Sequence, residues 1–282
     1  MSKLSPSLKA LVNAPFSRPD PTAAPARIRE VYQGIAKDAA SRNVGVRPWV
    51  ALSSAATFTL NSPESLAVLQ DVASNSTTPA SPVQTAEFIR EVGLKCISFN
   101  GIPRSINCLN AFRASLPPDV VSRLETRPSR EISPANLPAA KARGRALWDS
   151  VYRPFEEKLL AKLADSHPDL PVHILGSHYA PLLSDPDPDG RGGLAGTGRV
   201  LTSLVAIACL RTQTGVGPQV LSHVFGLRKA IEDGSYKIEG HGAEGAEWLA
   251  TDEGSEWILK TVDTISKALG GANFARDPQA KL

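Results

Sequence analysis

Two glutamate–lysine pairs have the spacing that places both side chains on one face of a helix. Glu91 precedes Lys95 by four residues, and Glu256 precedes Lys260 by the same interval. On an exposed face such a pair is a weak ion pair, which contributes about 0.3–0.5 kcal/mol. In a pocket, Glu91 would instead donate a proton to a carbanion or enolate while Lys95 holds a substrate carboxylate. Decarboxylation needs that combination of an orienting cation and a proton source.

One histidine is placed to exchange protons inside the protein. His223 lies on the apolar face of a predicted helix over 219–232. An inward histidine is either a core residue whose nitrogens have partners or a general acid or base beside a cavity, and the pattern leaves both open. The candidate catalytic residues are therefore His223 and Glu91.

Polar residues around a Gly-Ile-Pro break between two predicted helices are candidates for binding an anion. Arg104 falls in the first turn after this break, where the helix dipole opposes a positive charge. Arg104 therefore favours an anionic partner, either a ligand or Glu91. Asn100 and Asn107 lie on the two sides of the break and are candidates to line the same cavity. The predicted substrate-binding set is Lys95, Arg104, Asn100, Asn107 and Gln219.

No group of residues has convincing metal-ligand spacing. Asp185–Gly190 resembles the start of a calcium loop, but no bidentate glutamate follows and prolines interrupt it, which favours a solvated turn. His173 and His178 lie in a predicted loop without a third ligand, and His241 falls in a glycine-rich loop. We therefore expect neither a metal nor a cofactor.

The three cysteines, Cys96, Cys108 and Cys209, form no Cys-x-x-Cys pair. Each lies in an apolar run, where a free thiol packs as a small hydrophobic side chain. This usage argues against a disulfide framework or a zinc site and favours a reducing, non-secretory compartment.

The composition indicates a soluble globular protein. Of the 282 residues, 42% are hydrophobic and 21% are charged, which excludes a wholly disordered chain or a fibre. A formal net charge of +3 is too small an excess to indicate nucleic-acid binding. The N-terminal residues lack the apolar core of a secretory signal. The longest apolar run, 204–210, is far shorter than the roughly 20 residues of a membrane span.

The last three residues have the character of a targeting signal. Ala280, Lys281 and Leu282 provide the small residue, the base and the terminal leucine of the Ser-Lys-Leu peroxisomal signal. We therefore expect a protein of the peroxisomal matrix that binds the import receptor through this tripeptide. The alternative is a frayed chain end.

The elements that must position these residues are helices. Long apolar or amphipathic segments between Pro and Gly breaks predict an all-α fold without strands. We expect an extended arm over 1–26, one kinked helix over 141–165, mostly loop over 167–198, and a final helical region that breaks near Gly254. The predicted units are an N-terminal arm and helix (1–45), a first repeat (46–118), a helical insertion and loop (119–195), a second repeat (196–270) and a flexible tail (271–282).

The chain contains a weak internal duplication. Each copy has an apolar helix, a break that leads into a proline, an amphipathic helix, a loop and a further helix. Because one such unit cannot bury its apolar face alone, the two copies are expected to pack together as a pseudo-twofold bundle. The matched positions are Pro63 with Pro218, Leu66 with Leu221, Glu91 with Glu256, Leu94 with Leu259, and Lys95 with Lys260.

Two stretches resemble the carboxymuconolactone decarboxylase and alkylhydroperoxidase AhpD-like superfamily. One covers 87–111 and contains the Gly-Ile-Pro break, and the other, 215–227, matches the helix that carries the family's histidine, here His223. With their flanks they cover about half of the chain. The resemblance implies an all-α, AhpD-like helical bundle of two fused repeats. It also implies a homo-oligomer, most simply a dimer, that takes a small-molecule ligand.

The chain departs from the peroxidase branch of that superfamily. Val216 and Gln219 stand at the positions of the family's Cys-x-x-Cys pair, and Leu204 at that of its glutamate. Peroxide reduction through that disulfide is therefore excluded. The decarboxylase branch is more similar because it needs no cysteines. Val68 in the first copy matches His223 in the second, so only one copy holds a complete site.

These features favour two classes of function. The first is a peroxisomal enzyme that acts by cofactor-independent proton transfer or decarboxylation on a small carboxylic or acyl substrate. His223 and Glu91 would move protons, while Lys95 and Arg104 bind the anion. The alternative is a non-catalytic protein of the same fold that binds a ligand or acts as a scaffold in peroxisomal metabolism.

Overall fold

The computed structural model describes residues 4–76, 81–186, 196–237 and 243–271. These residues form helices joined by turns and contain no strand, so the all-α prediction is confirmed. The α-helices are α1 (Pro6–Val12), α2 (Ile28–Ser41), α3 (Val46–Thr59), α4 (Pro63–Ser74), α5 (Pro82–Lys95), α6 (Ile97–Asn100), α7 (Ile102–Ser115), α8 (Pro118–Val121), α9 (Leu137–Tyr152), α10 (Glu156–Ser166), α11 (Asp169–His173), α12 (Gly198–Gln213), α13 (Gly217–Glu232), α14 (Ala246–Leu249) and α15 (Asp252–Ala268). A π-helix (Ile174–Leu183) and two short 3-10 helices (Pro15–Ser17 and Ser235–Lys237) complete the described helical structure.

Two almost wholly buried helices, α3 and α12, pack against each other at the centre of the molecule. Helices that are apolar around their whole circumference are stable only when other elements surround them. Here α4, α5 and α7 cover α3, while α13 and α15 cover α12. Among the described helices, none combines the length and the apolar character that a membrane span requires.

A second, smaller apolar cluster joins α9 to the π-helix. Trp148 of α9 packs there with Tyr179 and Leu183. The two backbones approach closely at Gly144, where a Cβ atom would lie 2.5 Å from the backbone nitrogen of Ala180. Because α9 also packs against α13, this cluster attaches the insertion to the second half of the bundle.

The insertion contains more helix than its sequence predicts. The region expected to be loop holds α11 and the π-helix, while 187–195 lie outside the described residues. Packing against α9 outweighs the local effect of the proline at position 181 within the π-helix. The single kinked helix expected over 141–165 is two helices, α9 and α10, because a proline at position 154 cannot continue the helix.

The N-terminal arm is not wholly extended, since it contains α1. Farther along, the arm is fixed to the turn between α3 and α4. The Thr22 N–H donates to the Asn61 carbonyl at 2.8 Å, and the Thr22 hydroxyl donates to the Leu60 carbonyl at 2.8 Å. These bonds tie the arm to the core of the first half.

The break in the final helical region lies a few residues before Gly254, at the junction of α14 and α15. Thr251 begins α15 by accepting a hydrogen bond from the Gly254 N–H at 3.1 Å. A Cβ atom on Gly254 would lie 2.0 Å from the Trp248 carbonyl oxygen. The glycine therefore permits close packing inside the helix and does not end it.

The two predicted copies contain helices in the same order, α3–α4–α5 and α12–α13–α15. The matched residues nevertheless differ in environment. Leu66 is fully buried, whereas Leu221 is 56% exposed. The matched glutamate–lysine pairs differ in the same sense, since the first is buried and the second is exposed. Equal helix order therefore does not imply equal burial.

Candidate functional site

His223 lies in α13 and faces the interior, with 7% of its surface exposed. Its ring centroid lies 6.2 Å from that of Phe99 and 6.1 Å from that of Tyr152. Within the described part of the chain its Nδ1 atom has no hydrogen-bond partner. A buried polar atom without a partner costs about 1–3 kcal/mol. Such an atom is rare in a folded protein and therefore needs an explanation.

The environment keeps this imidazole neutral. Burial, with a smaller contribution from the positive charge of Arg199, lowers the pKa of His223 to about 3. At physiological pH the ring therefore has one nitrogen that accepts and one that donates a hydrogen bond. Because burial and Arg199 both disfavour a positive charge on the ring, an anion bound beside it would raise this pKa.

Arg199, in the first turn of α12, joins α9, which carries Tyr152, to α13, which carries His223. Its Nε donates to Ser150 Oγ at 2.7 Å on α9, and its Nη2 donates to the Gly226 carbonyl at 2.7 Å on α13. A Cβ atom on Gly226 would lie 3.0 Å from a side chain of α9, so the glycine permits the close approach of these helices. One guanidinium thus helps to set the spacing between Tyr152 and His223.

Two tyrosines and a tryptophan complete the aromatic surroundings. Tyr179 donates its hydroxyl to Tyr152 Oη at 3.3 Å. The Trp148 ring centroid lies 4.2 Å from that of Tyr152 and 5.1 Å from that of Tyr179. Burial raises the pKa of both tyrosines, so both phenols stay protonated. Sequence analysis missed these residues because they belong to the insertion, outside the stretches that carry the family resemblance.

Glu91 and Lys95 lie one turn apart on α5, and both side chains are fully buried. The Lys95 ammonium donates to Asp185 Oδ1 at 2.9 Å and to the Leu183 carbonyl, and it lies 4.0 Å from Glu91 Oε1. Arg130 donates to both carboxylate oxygens of Glu91. The result is a row of alternating charges in which each buried charge has an opposite neighbour.

Asp185 extends this charge row to the start of α12. Its Oδ2 accepts hydrogen bonds from the backbone N–H groups of Thr197 at 2.9 Å and Gly198 at 2.7 Å, where the helix dipole favours a negative charge. Burial alone would raise the pKa of this carboxyl, but the Lys95 ammonium and the backbone donors hold it well below its usual range. The solvated turn expected here is therefore wrong for Asp185, because Lys95 holds its carboxylate against the core.

Asn100 and Arg104 meet at the C-terminal end of α3. Asn100 Nδ2 donates to Thr59 Oγ1 at 3.1 Å, and Arg104 Nη1 donates to the Thr59 carbonyl. Gln213 of α12 donates to Asn100 Oδ1 at 3.0 Å. These side chains therefore connect the ends of the two central helices to the break between α6 and α7.

The remaining predicted binding residues are at the surface. Asn107 is exposed and donates to Asn61 Oδ1 at 3.5 Å, and Gln219 is exposed in the first turn of α13. The aromatic rings that His223 contacts within the described residues are those of Phe99 and Tyr152. Of the predicted site residues, the structure brings Glu91 together with Lys95 on α5, and Asn100 together with Arg104 at Thr59.

The three cysteines are buried free thiols, as their apolar surroundings predict. Cys96 and Cys209 bring their Sγ atoms within 3.5 Å of each other, while Cys108 Sγ lies 3.8 Å from an amide oxygen of Asn61. Burial raises the pKa of Cys96, and it raises that of Cys108 to about 12. Both are therefore protonated and weak nucleophiles at neutral pH.

The other histidines form no metal centre in the part of the chain that the structure describes. The rings of His173 and His178 lie 5.1 Å apart, and His178 Nδ1 lies 3.1 Å from Ser98 Oγ. Within the described ranges, no three His, Cys, Asp or Glu side chains are grouped to hold an ion. His241 and the tripeptide 280–282 lie outside the described residues.

Comparison of the chain with protein-family models, with curated proteins and with solved structures finds no match. The resemblance to the AhpD-like superfamily therefore rests on the two sequence stretches. The fold and the site define an all-α protein in which a buried, neutral histidine lies between two aromatic side chains.

Proposed function

We propose that the protein is a cofactor-independent enzyme that transfers protons on a small carboxylic or acyl substrate, with decarboxylation as its specific reaction. Its scaffold in this proposal is an AhpD-like bundle of two fused repeats. The observation that carries the proposal is the neutral imidazole of His223, whose buried Nδ1 atom has no partner among the described residues. That nitrogen can bond to a substrate without breaking an existing hydrogen bond.

His223 is the catalytic residue of this proposal. A substrate carboxylate beside the ring would raise the pKa of His223, so that the ring takes up a proton as the substrate binds. Cleavage of the bond to the carboxylate releases carbon dioxide and leaves the electron pair on the neighbouring carbon. The imidazolium then protonates that carbon and returns to its neutral form. The Tyr152 phenol, which contacts the ring, provides a second donor toward the substrate.

Glu91 and Lys95 act as positioning residues in this scheme. Lys95 binds Asp185, which holds the first N–H groups of α12. Arg199 follows directly and connects α9 to α13. The charge row therefore supports the guanidinium that sets the spacing of Tyr152 and His223.

A non-catalytic binding or scaffold protein of the same fold is the second candidate. One observation favours it: Lys95, Asn100 and Arg104, the residues expected to hold a substrate, already bond to protein groups. A chain that kept its packing but lost its substrate contacts would have this pattern.

A metabolite comparison distinguishes the two candidates. Cells that lack the protein should accumulate a carboxylic or acyl metabolite if it is an enzyme. The His223→Gln variant should fail to restore the normal level, whereas His167→Gln, a change at an exposed histidine, should restore it. Full restoration by His223→Gln contradicts the enzyme and supports the scaffold.

The proposed compartment is the peroxisomal matrix, with a homodimer as the assembly. A fluorescent protein fused before the full chain should colocalise with a peroxisomal marker, and deletion of Ala280–Leu282 should make the signal diffuse. Light scattering should give twice the 29.9 kDa mass of the chain. Diffuse fluorescence of the intact fusion would contradict the targeting proposal.

A further inference from the structure

A groove of about 710 Å³ lies apart from the residues around His223. It is bounded by α5, by the last turn of α7 and by the segment 121–131. Its volume falls within the range of small-molecule sites, about 300–1,000 Å³. Four arginines and two glutamates, Glu125 and Glu131, line it beside apolar side chains that include Leu94 and Leu124. The lining therefore combines an excess of cationic side chains with an apolar surface.

Two buried carboxylates of α5 hold Arg90 and Arg130 in place. One of them also holds the segment 121–131, which carries Arg130. Glu87, which is 2% exposed, accepts a hydrogen bond from Arg90 at 2.8 Å and another from the Glu125 N–H at 2.6 Å. Glu91 binds both Nη atoms of Arg130. The wall of the groove is therefore formed before a ligand arrives, which reduces the entropy lost on binding.

The guanidinium of Arg130 has a second edge for an anion. A guanidinium offers five N–H donors, and two different edges can each face an oxyanion. Glu91 occupies the edge formed by the two Nη atoms. The Nε atom belongs to the other edge, is buried, and has no partner among the described residues. An oxyanion bound at this edge would supply the partner that Nε lacks.

Arg113 adds a further cation to the same groove. It is exposed in the last turn of α7 and makes no ion pair with any described residue. Arg127, by contrast, pairs with Glu125 at 3.1 Å. Arg113 is therefore the arginine of the groove whose charge is available to a ligand without the loss of an existing pair.

We propose that this groove binds a small molecule that combines an oxyanion, phosphate or carboxylate, with an apolar body. The oxyanion contacts the Nε edge of Arg130 and the guanidinium of Arg113. The apolar body lies against Leu94 and Leu124. The site does not depend on the reaction proposed at His223.

Isothermal titration of the full chain with phenyl phosphate, benzoate, inorganic phosphate and benzyl alcohol tests the site. Phenyl phosphate or benzoate should bind saturably, and the tighter of the two identifies the oxyanion. Inorganic phosphate should bind more weakly because it leaves the apolar wall uncovered, and benzyl alcohol should not bind. Arg113→Gln should weaken binding about tenfold through loss of a charge-assisted hydrogen bond.

Arg123→Gln is the matched control, because Arg123 is exposed near the groove but pairs with Asp119 and does not line it. Arg130→Gln removes a charged partner of the buried Glu91 and threatens folding, so the test uses Arg113→Gln. The proposal is overturned if neither organic anion binds saturably, or if Arg113→Gln and Arg123→Gln bind equally well. His223→Gln should bind as the wild type does, so this result and that of the proposed reaction are separable.

Discussion

Two Glu-x-x-x-Lys pairs with identical spacing have opposite environments in this protein. The side chains of Glu91 and Lys95 are fully buried, whereas those of Glu256 and Lys260 are 66% and 74% exposed. The exposed pair is nevertheless the closer one, with 2.7 Å between nitrogen and oxygen against 4.0 Å in the buried pair. Distance therefore does not rank the two interactions. Burial makes each charge depend on its partners, while water screens the exposed pair.

The insertion explains this difference. It supplies Arg130 to Glu91 and Asp185 to Lys95, which turns an isolated pair into a compensated row of charges. In the described part of the chain, Glu256 and Lys260 pair only with each other. The comparison teaches that the same local motif becomes a structural network or a solvated ion pair according to what covers its helix.

Replacing Lys95 should have the largest effect on stability. Lys95→Met leaves Glu91 and Asp185 without their shared cation, and the loss of one partner of a buried pair costs about 3–5 kcal/mol. Lys260→Met, the matched change on α15, should cost no more than about 0.5 kcal/mol. Urea unfolding followed by circular dichroism measures both free energies. Equal losses of unfolding free energy in the two variants would contradict the difference proposed between the buried and the exposed pair.

Acid should destabilise the protein by protonating Asp185, which lies at one end of the buried row of charges. Its pKa is lowered in the folded state, so the carboxylate stabilises the fold above its usual pKa of about 3.9. That stabilisation is lost as the pH falls from there through the lower folded value. The unfolding free energy of Asp185→Asn should therefore decrease less steeply below about pH 4 than that of the wild type. Urea unfolding at a series of pH values gives the slopes. Glu256→Gln controls for loss of an exposed carboxylate, and an unchanged slope in Asp185→Asn would contradict the prediction.

High salt should increase the difference between the costs of Lys95→Met and Lys260→Met by a few tenths of a kcal/mol. At about 1 M ionic strength the Debye length falls to about 3 Å, so the exposed pair loses most of its attraction. The small cost of Lys260→Met should then disappear, while that of Lys95→Met should persist. Unfolding at low and high sodium chloride measures both. A Lys95→Met cost that vanishes with salt would show that the row is accessible to ions.

The smallest expected response is that of His223 to pH. Because burial and Arg199 lower its pKa to about 3, the NMR signals of this ring should not shift between about pH 8 and 5. The pKa of His223 in the folded protein lies below its unfolded value of about 6.5. The contribution of the neutral ring to the free energy of unfolding is therefore complete above about pH 6.5, and it is lost as the pH falls from there toward the folded pKa. His223→Gln assigns the resonance. A ring that titrates near its ordinary pKa would contradict the desolvated environment.

Much of the fold could be predicted from local signals. α4 begins at Pro63, directly after the break that leads into this proline, and α13 begins two residues before its predicted start at position 219. Proline in the first helical turn and apolar periodicity act over a few residues, so they are visible in the chain itself. The π-helix could not be predicted in this way, because its stability comes from packing against α9.

The candidate site was less predictable. The inward position of His223 follows from its helical face, but its neighbours come from distant parts of the chain. Arg199 reaches Ser150 across 49 residues and Gly226 across 27. The weak ion pair of an exposed face, one of the two alternatives that the spacing allows, describes Glu256 and not Glu91. No local pattern distinguishes the two glutamates, because their burial depends on the insertion.

The amino-acid sequence by itself determined that the chain is helical, that a helix begins at Pro63, and that its thiols are apolar packing residues. These properties depend on hydrogen bonding and periodicity within a few turns of helix. Only the tertiary structure decided which glutamate–lysine pair is buried, which two cysteines touch, and that burial, with a smaller contribution from Arg199, keeps the histidine neutral. Those properties depend on segments far apart in the chain, which meet only when the core excludes water.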